Sequence, residues 1–212
     1  MVVGSLTSRP PLAPVWARRC LYSLGRSFFY VAGRLVWRMS VKGRENIPRQ
    51  GGVIITCNHM SLADPPLVGA SAPRPVHFIA KQQLFEIPVL GWLILQVNAF
   101  PIRREERDVS AFKTAQRLLE AGEAVVLFPE GTRSRSGSMG RAKAGVGMLA
   151  AKSGAVVVPT CVHNTQHMNK FKKISVHFGH PMKYDGHMDY QRFSDAVLEE
   201  IRRMWEKIEH DS

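Results

Sequence analysis

The sequence predicts an α/β fold with a largely parallel central sheet flanked by helices, preceded by an N-terminal amphipathic helical segment. Short runs of apolar, mostly β-branched residues alternate along the chain with stretches whose apolar residues recur every three or four positions. Strands that alternate with helices require crossover connections, and these place neighbouring strands parallel. Polar clusters follow several predicted strands, as expected where the carboxyl ends of parallel strands form a ligand site.

The order of the predicted elements divides the chain into two parts. An N-terminal segment covers residues 1–40, with a loose tail over 1–14 and helical sequence from Val15 to Ser40. A domain covers residues 41–212 and begins with a linker over 41–50. Its predicted strands are 52–57, 76–80, 98–102, 124–128, 155–162 and 174–179. Its predicted helices are 65–71, 88–97, 108–121, 144–153 and 189–209.

Charge is distributed unevenly along the chain. The 212 residues contain 29 Lys and Arg against 17 Asp and Glu, a formal net charge of +12. Residues 1–50 hold nine of the basic side chains and a single acid, Glu45. Such a field attracts anions, whether nucleic acid, acidic lipid surfaces or phosphorylated substrates. The three cysteines show no paired spacing, which favours a reduced compartment and gives no support for a zinc site or a disulfide framework.

The helical stretch over 15–40 carries one apolar stripe. Its members lie three or four positions apart: Leu21, Leu24, Phe28, Val31 and Leu35. Arg18, Arg26 and Arg34 lie off the stripe, and Gly25 and Gly33 are expected to divide the stretch into two helices. A basic, aromatic-rich amphipathic helix suits the membrane interface, with the arginines on anionic head groups. The alternative is a helix packed on its own domain. We favour the membrane, and the chain contains no apolar stretch long enough to predict a spanning helix.

A histidine and an aspartate follow the predicted strand 52–57. His59 and Asp64 lie five residues apart in the loop Asn58-His-Met-Ser-Leu-Ala-Asp-Pro-Pro66. Close in space, they would form a general base with its orienting carboxylate. Each residue also has a simpler interpretation. Asp64 before two prolines is a good helix N-cap, and a single histidine at a strand end is often structural.

Two further polar clusters follow predicted strands. Arg103 and Arg104 end the strand 98–102, and residues 130–135 follow the strand 124–128. Taken singly, the arginines could be solvated surface and the Glu130-Gly131-Thr132 sequence a turn. Parallel strands would bring all three clusters to one edge of the sheet. This combination predicts a site for a phosphorylated substrate and a proton transfer, without a metal ion.

Four sequence blocks resemble, in order, the motifs of the glycerolipid acyltransferases. They are NHMSLADPP, AFPIRR, FPEGTRSRSG and the strand ending VVPT. The resemblance runs from about Val41 to Met182 and is strongest to bacterial 1-acyl-sn-glycerol-3-phosphate acyltransferases. It implies that residues 41–212 form a catalytic domain with the family's α/β fold. The implied reaction transfers an acyl chain to lysophosphatidic acid from acyl carrier protein or coenzyme A, with no other cofactor, and gives phosphatidic acid.

The resemblance also implies roles for individual residues. His59 and Asp64 match the family's catalytic pair, and Arg104 matches an arginine associated with the acceptor's phosphate. Arg103 stands where the family often has an acid, so either arginine could meet the phosphate. Further substrate-binding positions are Glu130, Gly131, Thr132, Arg133, Lys81 and Lys143, and Pro159 matches the proline of the fourth block. Backbone N–H groups near Gly131 are candidate donors to the oxyanion.

The chemistry implied by the resemblance fits the residue types present. A thioester is already activated, and the chain has no G-x-S-x-G elbow and no cysteine in a motif, which favours direct attack over an acyl-enzyme. We expect peripheral or monotopic attachment to an anionic membrane, on its cytoplasmic face. The alternatives are another lysophospholipid acceptor or a non-catalytic membrane-binding module. Nucleic-acid binding is not expected, because the basic excess lies on an apolar amphipathic segment and no nucleic-acid motif is present.

Overall fold

The computed structural model describes residues 12–102, 109–134 and 137–211, and it confirms the predicted fold class. The strands are β1 (Ser40–Lys42), β2 (Val53–Cys57), β3 (Val76–Lys81), β4 (Ala99–Ile102), β5 (Ala124–Leu127), β6 (Val156–His163) and β7 (Ser175–Phe178). The helices are α1 (Val15–Val36), α2 (Asp64–Ser71), α3 (Pro88–Gln96), α4 (Val109–Glu120), α5 (Gly145–Ser153) and α6 (Tyr190–His210). Short 3₁₀ turns join several of them.

Within the described residues the seven strands form one sheet in the order β1-β7-β6-β2-β5-β3-β4. Strands β6, β2, β5, β3 and β4 run parallel, whereas β7 pairs antiparallel with β6. The carboxyl ends of these five strands therefore lie along one edge. The loops after β2 and β5, which contain two of the three predicted polar clusters, emerge side by side at this edge.

Alternate residues of the central strands enter two separate apolar layers. Ile55, Val126 and Val158 pack with α2 and with aromatic residues in and just after α1. Ile54, Val125 and Val157 pack on the opposite face of the sheet with α4, α5 and α6. This period of two is the strand geometry expected for a sheet covered on both faces. Each such side chain, fully buried, contributes about 1.5–3 kcal/mol to folding.

The N-terminal part differs from the prediction at two points. β1 was not predicted, because Ser40 was assigned to the helical stretch and Val41 and Lys42 to the linker over 41–50. It has only three residues and joins the sheet at its edge by pairing with β7. The expected division of the helical stretch at Gly25 and Gly33 is wrong, since α1 is a single helix of 22 residues. Gly33 instead gives room for a close contact: a Cβ there would lie 3.0 Å from the Met39 side chain.

The two sides of α1 have different surroundings. Tyr22 and Gly33 face the domain, where the Tyr22 hydroxyl accepts a hydrogen bond from the Val76 N–H. Leu24, Phe28 and Leu35 of the predicted stripe are exposed, by 68%, 65% and 78%. The stripe therefore does not pack on the domain, although the opposite face of the helix does. Among the described residues, no helix combines the length and apolar content needed to cross a bilayer.

Two arginines of α1, which were expected to bind lipid head groups, form hydrogen bonds with the protein. The Arg26 guanidinium donates a hydrogen bond to the Ala72 carbonyl at the end of α2, and the Arg34 guanidinium donates to the Met39 carbonyl. Arg26 therefore anchors α1 to the domain instead of extending toward a lipid surface, and that part of the expectation is corrected. The apolar stripe remains the exposed feature of this helix.

Candidate active site

The loop after β2 is held by the side chain of Asn58. Asn58 Nδ2 donates to the Val162 carbonyl at 2.8 Å, and Asn58 Oδ1 accepts from the Val162 N–H, also at 2.8 Å. This side chain is fully buried and extends the pairing of β2 with β6 by one residue. This role of Asn58 was not predicted. One feature of the sequence indicates it: Asn58 directly follows a predicted buried strand. A buried side-chain amide must find partners for both its donor and its acceptor.

His59 and Asp64 are in direct contact, as the sequence predicted from their spacing. His59 Nδ1 lies 2.9 Å from Asp64 Oδ2, and both side chains are buried. The same Oδ2 accepts hydrogen bonds from the Met60 and Ser61 N–H groups, each at 2.7 Å. A carboxylate oxygen can only accept, so Nδ1 carries the proton toward Asp64. In the neutral imidazole Nε2 then has the free lone pair, which is the form a general base requires.

The helix-cap interpretation of Asp64 is wrong. Asp64 is the first residue of α2, the N-cap position is Ala63, and no side chain caps this helix end. Pro65 and Pro66 have no N–H groups to cap. The carboxylate instead turns back and binds the two N–H groups that precede it, together with His59. Its other oxygen, Oδ1, is buried without a hydrogen-bond partner.

The loop after β5 touches the histidine from a second side. The Phe128 ring stacks on the His59 imidazole, with ring centroids 4.0 Å apart and planes inclined by 23°. The Ser134 N–H donates to the His59 carbonyl at 2.8 Å. These contacts join the first and third sequence blocks physically. Neither Phe128 nor Ser134 was among the predicted site residues, because the contacts connect residues about 70 positions apart and leave no local pattern.

Glu130 shapes the turn after β5. Its Oε2 accepts the Gly140 N–H at 2.7 Å, while Oε1 is buried without a hydrogen-bond partner. Gly131 has φ +74°, and a Cβ at this position would lie 2.9 Å from Lys143 Nζ. The positive φ favours glycine here, whereas the Lys143 side chain could move aside. The Gly131 N–H donates to the Phe128 carbonyl at 3.0 Å, so this one group is already engaged, and donation to the oxyanion by the neighbouring N–H groups stays a prediction.

The other predicted residues are placed as follows. Lys81 ends β3, half-buried, at the same edge of the sheet. Lys143 is exposed, and its N–H donates to the Pro129 carbonyl, which fixes it beside the Glu130 turn. Thr132 and Arg133 are exposed on that turn. Pro159 lies buried within β6. Arg103 and Arg104 lie outside the described residues, directly after the end of β4.

The cysteines offer no nucleophile near the histidine. Cys57 and Cys161 are buried, and this burial raises the pKa of both thiols well above the ordinary value. A thiol of raised pKa stays protonated at neutral pH and is a poor nucleophile. Cys20 is exposed on α1. Among residues 12–102, 109–134 and 137–211, no three His, Cys, Asp or Glu side chains are grouped in a way that could hold a metal ion.

An apolar cavity of about 200 Å³ lies against the third block. Phe128, Gly131 and Lys143 are among the residues that line it. Its remaining walls are mostly apolar side chains of β3, β5, α4 and α5, among them Ile79, Leu127 and Leu149. The ring that stacks on His59 therefore also borders an apolar space of a kind that suits hydrocarbon.

These elements define the class of protein: an α/β protein with a buried histidine–aspartate pair at the carboxyl edge of a parallel sheet. Comparison with known proteins gives the family. The acyltransferase family model matches residues 38–163, more than half of the chain. A chloroplastic 1-acyl-sn-glycerol-3-phosphate acyltransferase of Arabidopsis thaliana is 32% identical over 157 residues, 73% of this chain and 40% of that protein. The Bacillus subtilis 1-acyl-sn-glycerol-3-phosphate acyltransferase is 36% identical over 97 residues, 45% of this chain and 49% of that protein.

A solved structure shows the same fold. The crystal structure of the 1-acyl-sn-glycerophosphate acyltransferase from Thermotoga maritima matches with a TM-score of 0.78 and 29% identity. The match covers 92% of this chain and 82% of that one. The chain belongs to the acyltransferase family, which confirms the resemblance seen in its sequence blocks. It spans 40% to 49% of the length of the first curated relatives it matches.

Proposed function

We propose that this protein transfers a fatty acyl group from an acyl thioester to the free hydroxyl of 1-acyl-sn-glycerol-3-phosphate, giving phosphatidic acid. One observation carries the proposal. His59 is held by Asp64 so that Nε2 has the free lone pair, and the loop containing Glu130 and Gly131 is bonded to the same histidine. The names of the relatives, which are 1-acyl-sn-glycerol-3-phosphate acyltransferases, support this choice of acceptor.

The proposed mechanism is a direct attack. His59 Nε2 removes the proton from the acceptor hydroxyl as its oxygen bonds to the thioester carbonyl carbon. The tetrahedral intermediate collapses, the carbon–sulfur bond breaks, and the imidazolium returns the proton to the leaving thiolate. Asp64 stabilises the imidazolium and holds its orientation. Acyl carrier protein and coenzyme A are the two candidate thiol carriers, and the mechanism requires no other cofactor.

The acceptor's phosphate requires cationic partners near the histidine. Lys81, Lys143 and Arg133 lie at the carboxyl edge of the sheet or on the adjoining turn. Arg103 and Arg104 follow β4, whose last residue pairs with Lys81 at this same edge. Guanidinium groups bind phosphate oxygens with two parallel hydrogen bonds, which favours an arginine over a lysine. We assign the phosphate to Arg104 because it matches the arginine of the family's second block, with Arg103 and Arg133 as the competing positions.

Replacement of Arg104 tests this assignment. Arg104→Ala should raise the KM for lysophosphatidic acid about 10- to 100-fold, with a smaller change in kcat, because it removes charged hydrogen bonds made to ground state and transition state alike. Initial rates at varied acceptor concentration measure both constants. Arg49→Ala, an exposed arginine before β2 at the opposite edge of the sheet, is the matched control. An unchanged KM in Arg104→Ala together with a raised KM in Arg103→Ala or Arg133→Ala would move the phosphate to that residue.

Membrane attachment through α1 is the second part of the proposal. Leu24, Phe28 and Leu35 present an exposed apolar stripe, and an exposed surface of this kind suits insertion at the bilayer interface. Helix α3 extends the apolar surface. Its Val89 and Leu93 are exposed, and Gln96 at its end accepts a hydrogen bond from the Ala13 N–H just before α1. A peripheral position on the cytoplasmic face would place the site where its lipid acceptor lies.

The stripe can be removed without disturbing the core, because its side chains are already exposed. The triple variant Leu24→Ser, Phe28→Ser and Leu35→Ser should lose roughly 100-fold or more in vesicle affinity while keeping the wild-type Tm. Sedimentation with phospholipid vesicles measures the affinity. Met188→Ser removes a single exposed apolar side chain from the loop before α6 and should leave binding unchanged. Wild-type binding by the triple variant would exclude α1 as the anchor.

The acceptor and the carrier are tested with one panel. Purified protein is incubated with vesicles, an acyl-coenzyme A or an acyl carrier protein thioester, and one of several lysophospholipids. Lysophosphatidic acid should give the highest kcat/KM, because the other acceptors lack the phosphomonoester that the arginines are proposed to bind. A higher kcat/KM with a lysophospholipid that carries a phosphodiester would identify a different acyltransferase of the same family. Vesicle binding without any acyl transfer would support the non-catalytic alternative.

A further inference from the structure

A basic loop with an exposed phenylalanine lies between β6 and β7. The 3₁₀ turn Thr165–Lys170 leads into Phe171, Lys172 and Lys173, and residues 169–173 are all exposed. Residues 164–173 contain three lysines and one histidine but no acid. The loop belongs to none of the four sequence blocks, and the proposed chemistry does not use it. We call residues 165–173 the basic loop.

The backbone at Phe171 is unusual. Phe171 has φ +51°, a left-handed conformation that is uncommon for residues other than glycine and rare for a bulky aromatic one. Glycine or asparagine would adopt this conformation at lower cost. The phenylalanine side chain nevertheless stays 60% exposed, so packing within the described domain does not compensate the strain. An aromatic ring held outward at such a position is the expected arrangement for contact with another surface.

The basic loop is attached to the end of α1. The Trp37 indole N–H donates to the Met168 carbonyl at 2.9 Å, and the Arg38 guanidinium donates to the Phe171 carbonyl at 3.4 Å. Leu35, the most exposed member of the α1 stripe, lies two residues before Trp37. The basic loop is therefore fixed to the C-terminal end of the helix that is proposed to bind the membrane.

We propose that the basic loop is a second membrane contact, in which Phe171 inserts at the acyl boundary while Lys170, Lys172 and Lys173 bind anionic lipid head groups. Glu209 and Asp211, from the end of α6, line a polar cavity together with Lys172 and Lys173. With Arg38, the cations of this region still outnumber these two carboxylates. An aromatic tip among lysines fits a lipid interface better than an acidic protein groove, since the ring needs an apolar phase and the lysines need only diffuse negative charge.

This inference extends the membrane attachment proposed for α1, and its test measures binding without turnover. The probes are vesicles of phosphatidylcholine alone and of phosphatidylcholine mixed with phosphatidylglycerol in equal parts. The full chain with Lys170, Lys172 and Lys173 all changed to Gln should bind the mixed vesicles roughly 100-fold less tightly, about fivefold per lysine. Its affinity for neutral vesicles should be unchanged. Phe171→Asn, which keeps the left-handed backbone, should weaken binding to both vesicle types, whereas Phe171→Leu should retain most of it.

A charge-matched control lies at the other edge of the sheet. Arg49 precedes β2, Lys152 ends α5 before β6, and Lys183 follows the Met182 residue that bridges to the start of β6. Changing these three to Gln removes the same charge and should leave binding to mixed vesicles close to wild type. An equal loss of affinity for mixed vesicles in this control would show that the lysines act only through the net charge of the protein, and it would overturn the proposal. If the loop variants bind vesicles like wild type but show a raised KM for the acyl carrier protein thioester, the proposal is overturned and the loop is a contact for that protein.

The α1 triple variant separates this inference from the proposed function. If the basic-loop variants bind vesicles like wild type while the α1 triple variant does not bind, the proposal for the basic loop is overturned and the proposal that α1 is the anchor is supported. Weakened vesicle binding by the loop variants would support the loop even in a protein that transfers no acyl group.

Discussion

His59→Ala is expected to lower the rate of acyl transfer to lysophosphatidic acid by about 10²–10⁴-fold or more. The substitution removes the Nε2 lone pair that is proposed to take the hydroxyl proton, and no other base within the described residues contacts Asp64. Initial rates of phosphatidic acid formation at saturating acceptor measure the effect on kcat. The KM for the acceptor should change little, since the arginines proposed to bind its phosphate lie on other loops.

The fold must be shown to survive this change. His59 stacks on Phe128 and is almost fully buried, so His59→Ala removes packing as well as the base. His59→Asn is the second variant, because its amide can still donate to Asp64 Oδ2 but offers no basic nitrogen. The exposed His187→Ala serves as the matched histidine control. Turnover near the wild-type rate in a folded His59→Asn protein would remove His59 from the mechanism.

Asp64→Asn is expected to reduce kcat by roughly 10³–10⁴-fold with a much smaller effect on the acceptor's KM. The amide oxygen can still accept from the Met60 and Ser61 N–H groups, so the loop keeps its shape. What changes is the partner of His59 Nδ1, which loses the negative charge that stabilises imidazolium. In the other orientation of the amide, the NH₂ takes the place of Oδ2; it then selects the opposite tautomer of His59, and the Met60 and Ser61 N–H groups lose their acceptor. Steady-state kinetics and the Tm are measured together.

This variant also tests independently that Asp64 does not act as the cap of α2. Asparagine is as good an N-cap as aspartate, so a capping residue would tolerate the change with full activity. A residue that positions and charges the histidine would not. Full activity with an unchanged Tm would therefore contradict the positioning role, even though Asp64 lies 2.9 Å from the ring.

The strands that cross the core could be predicted because their side chains are buried on both faces. The runs at 52–57 and 124–128 are continuous and apolar, and they match β2 and β5 to within a residue at each end. β1 has one apolar residue, Val41, among three and exists only because it pairs with β7 more than 130 positions later. A window along the sequence contains nothing that marks such an edge strand.

In the candidate site, too, contacts between residues close in sequence could be predicted, whereas contacts between residues far apart in sequence could not. The spacing of His59 and Asp64 is local, and the contact between them was predicted. The Asp-Pro-Pro sequence locally favoured a cap, but the buried imidazole and two loop N–H groups compete for the same carboxylate. The anchoring of Asn58 on Val162 joins residues 104 positions apart. The sheet topology creates such contacts; the position of Asn58 directly after a buried strand indicates that its amide needs partners, but not which residue supplies them.

Direct acyl transfer, without a covalent enzyme intermediate, is the central claim and can be tested in one experiment. The wild-type protein is incubated with vesicles and a thioester whose acyl chain is labelled, with and without lysophosphatidic acid. The denatured protein and the extracted lipid are then counted separately at early times. We predict that the label enters phosphatidic acid only when the acceptor is present and never becomes attached to protein. Label bound covalently to the protein before acceptor is added, and then passed on to lipid, would contradict the direct attack promoted by His59.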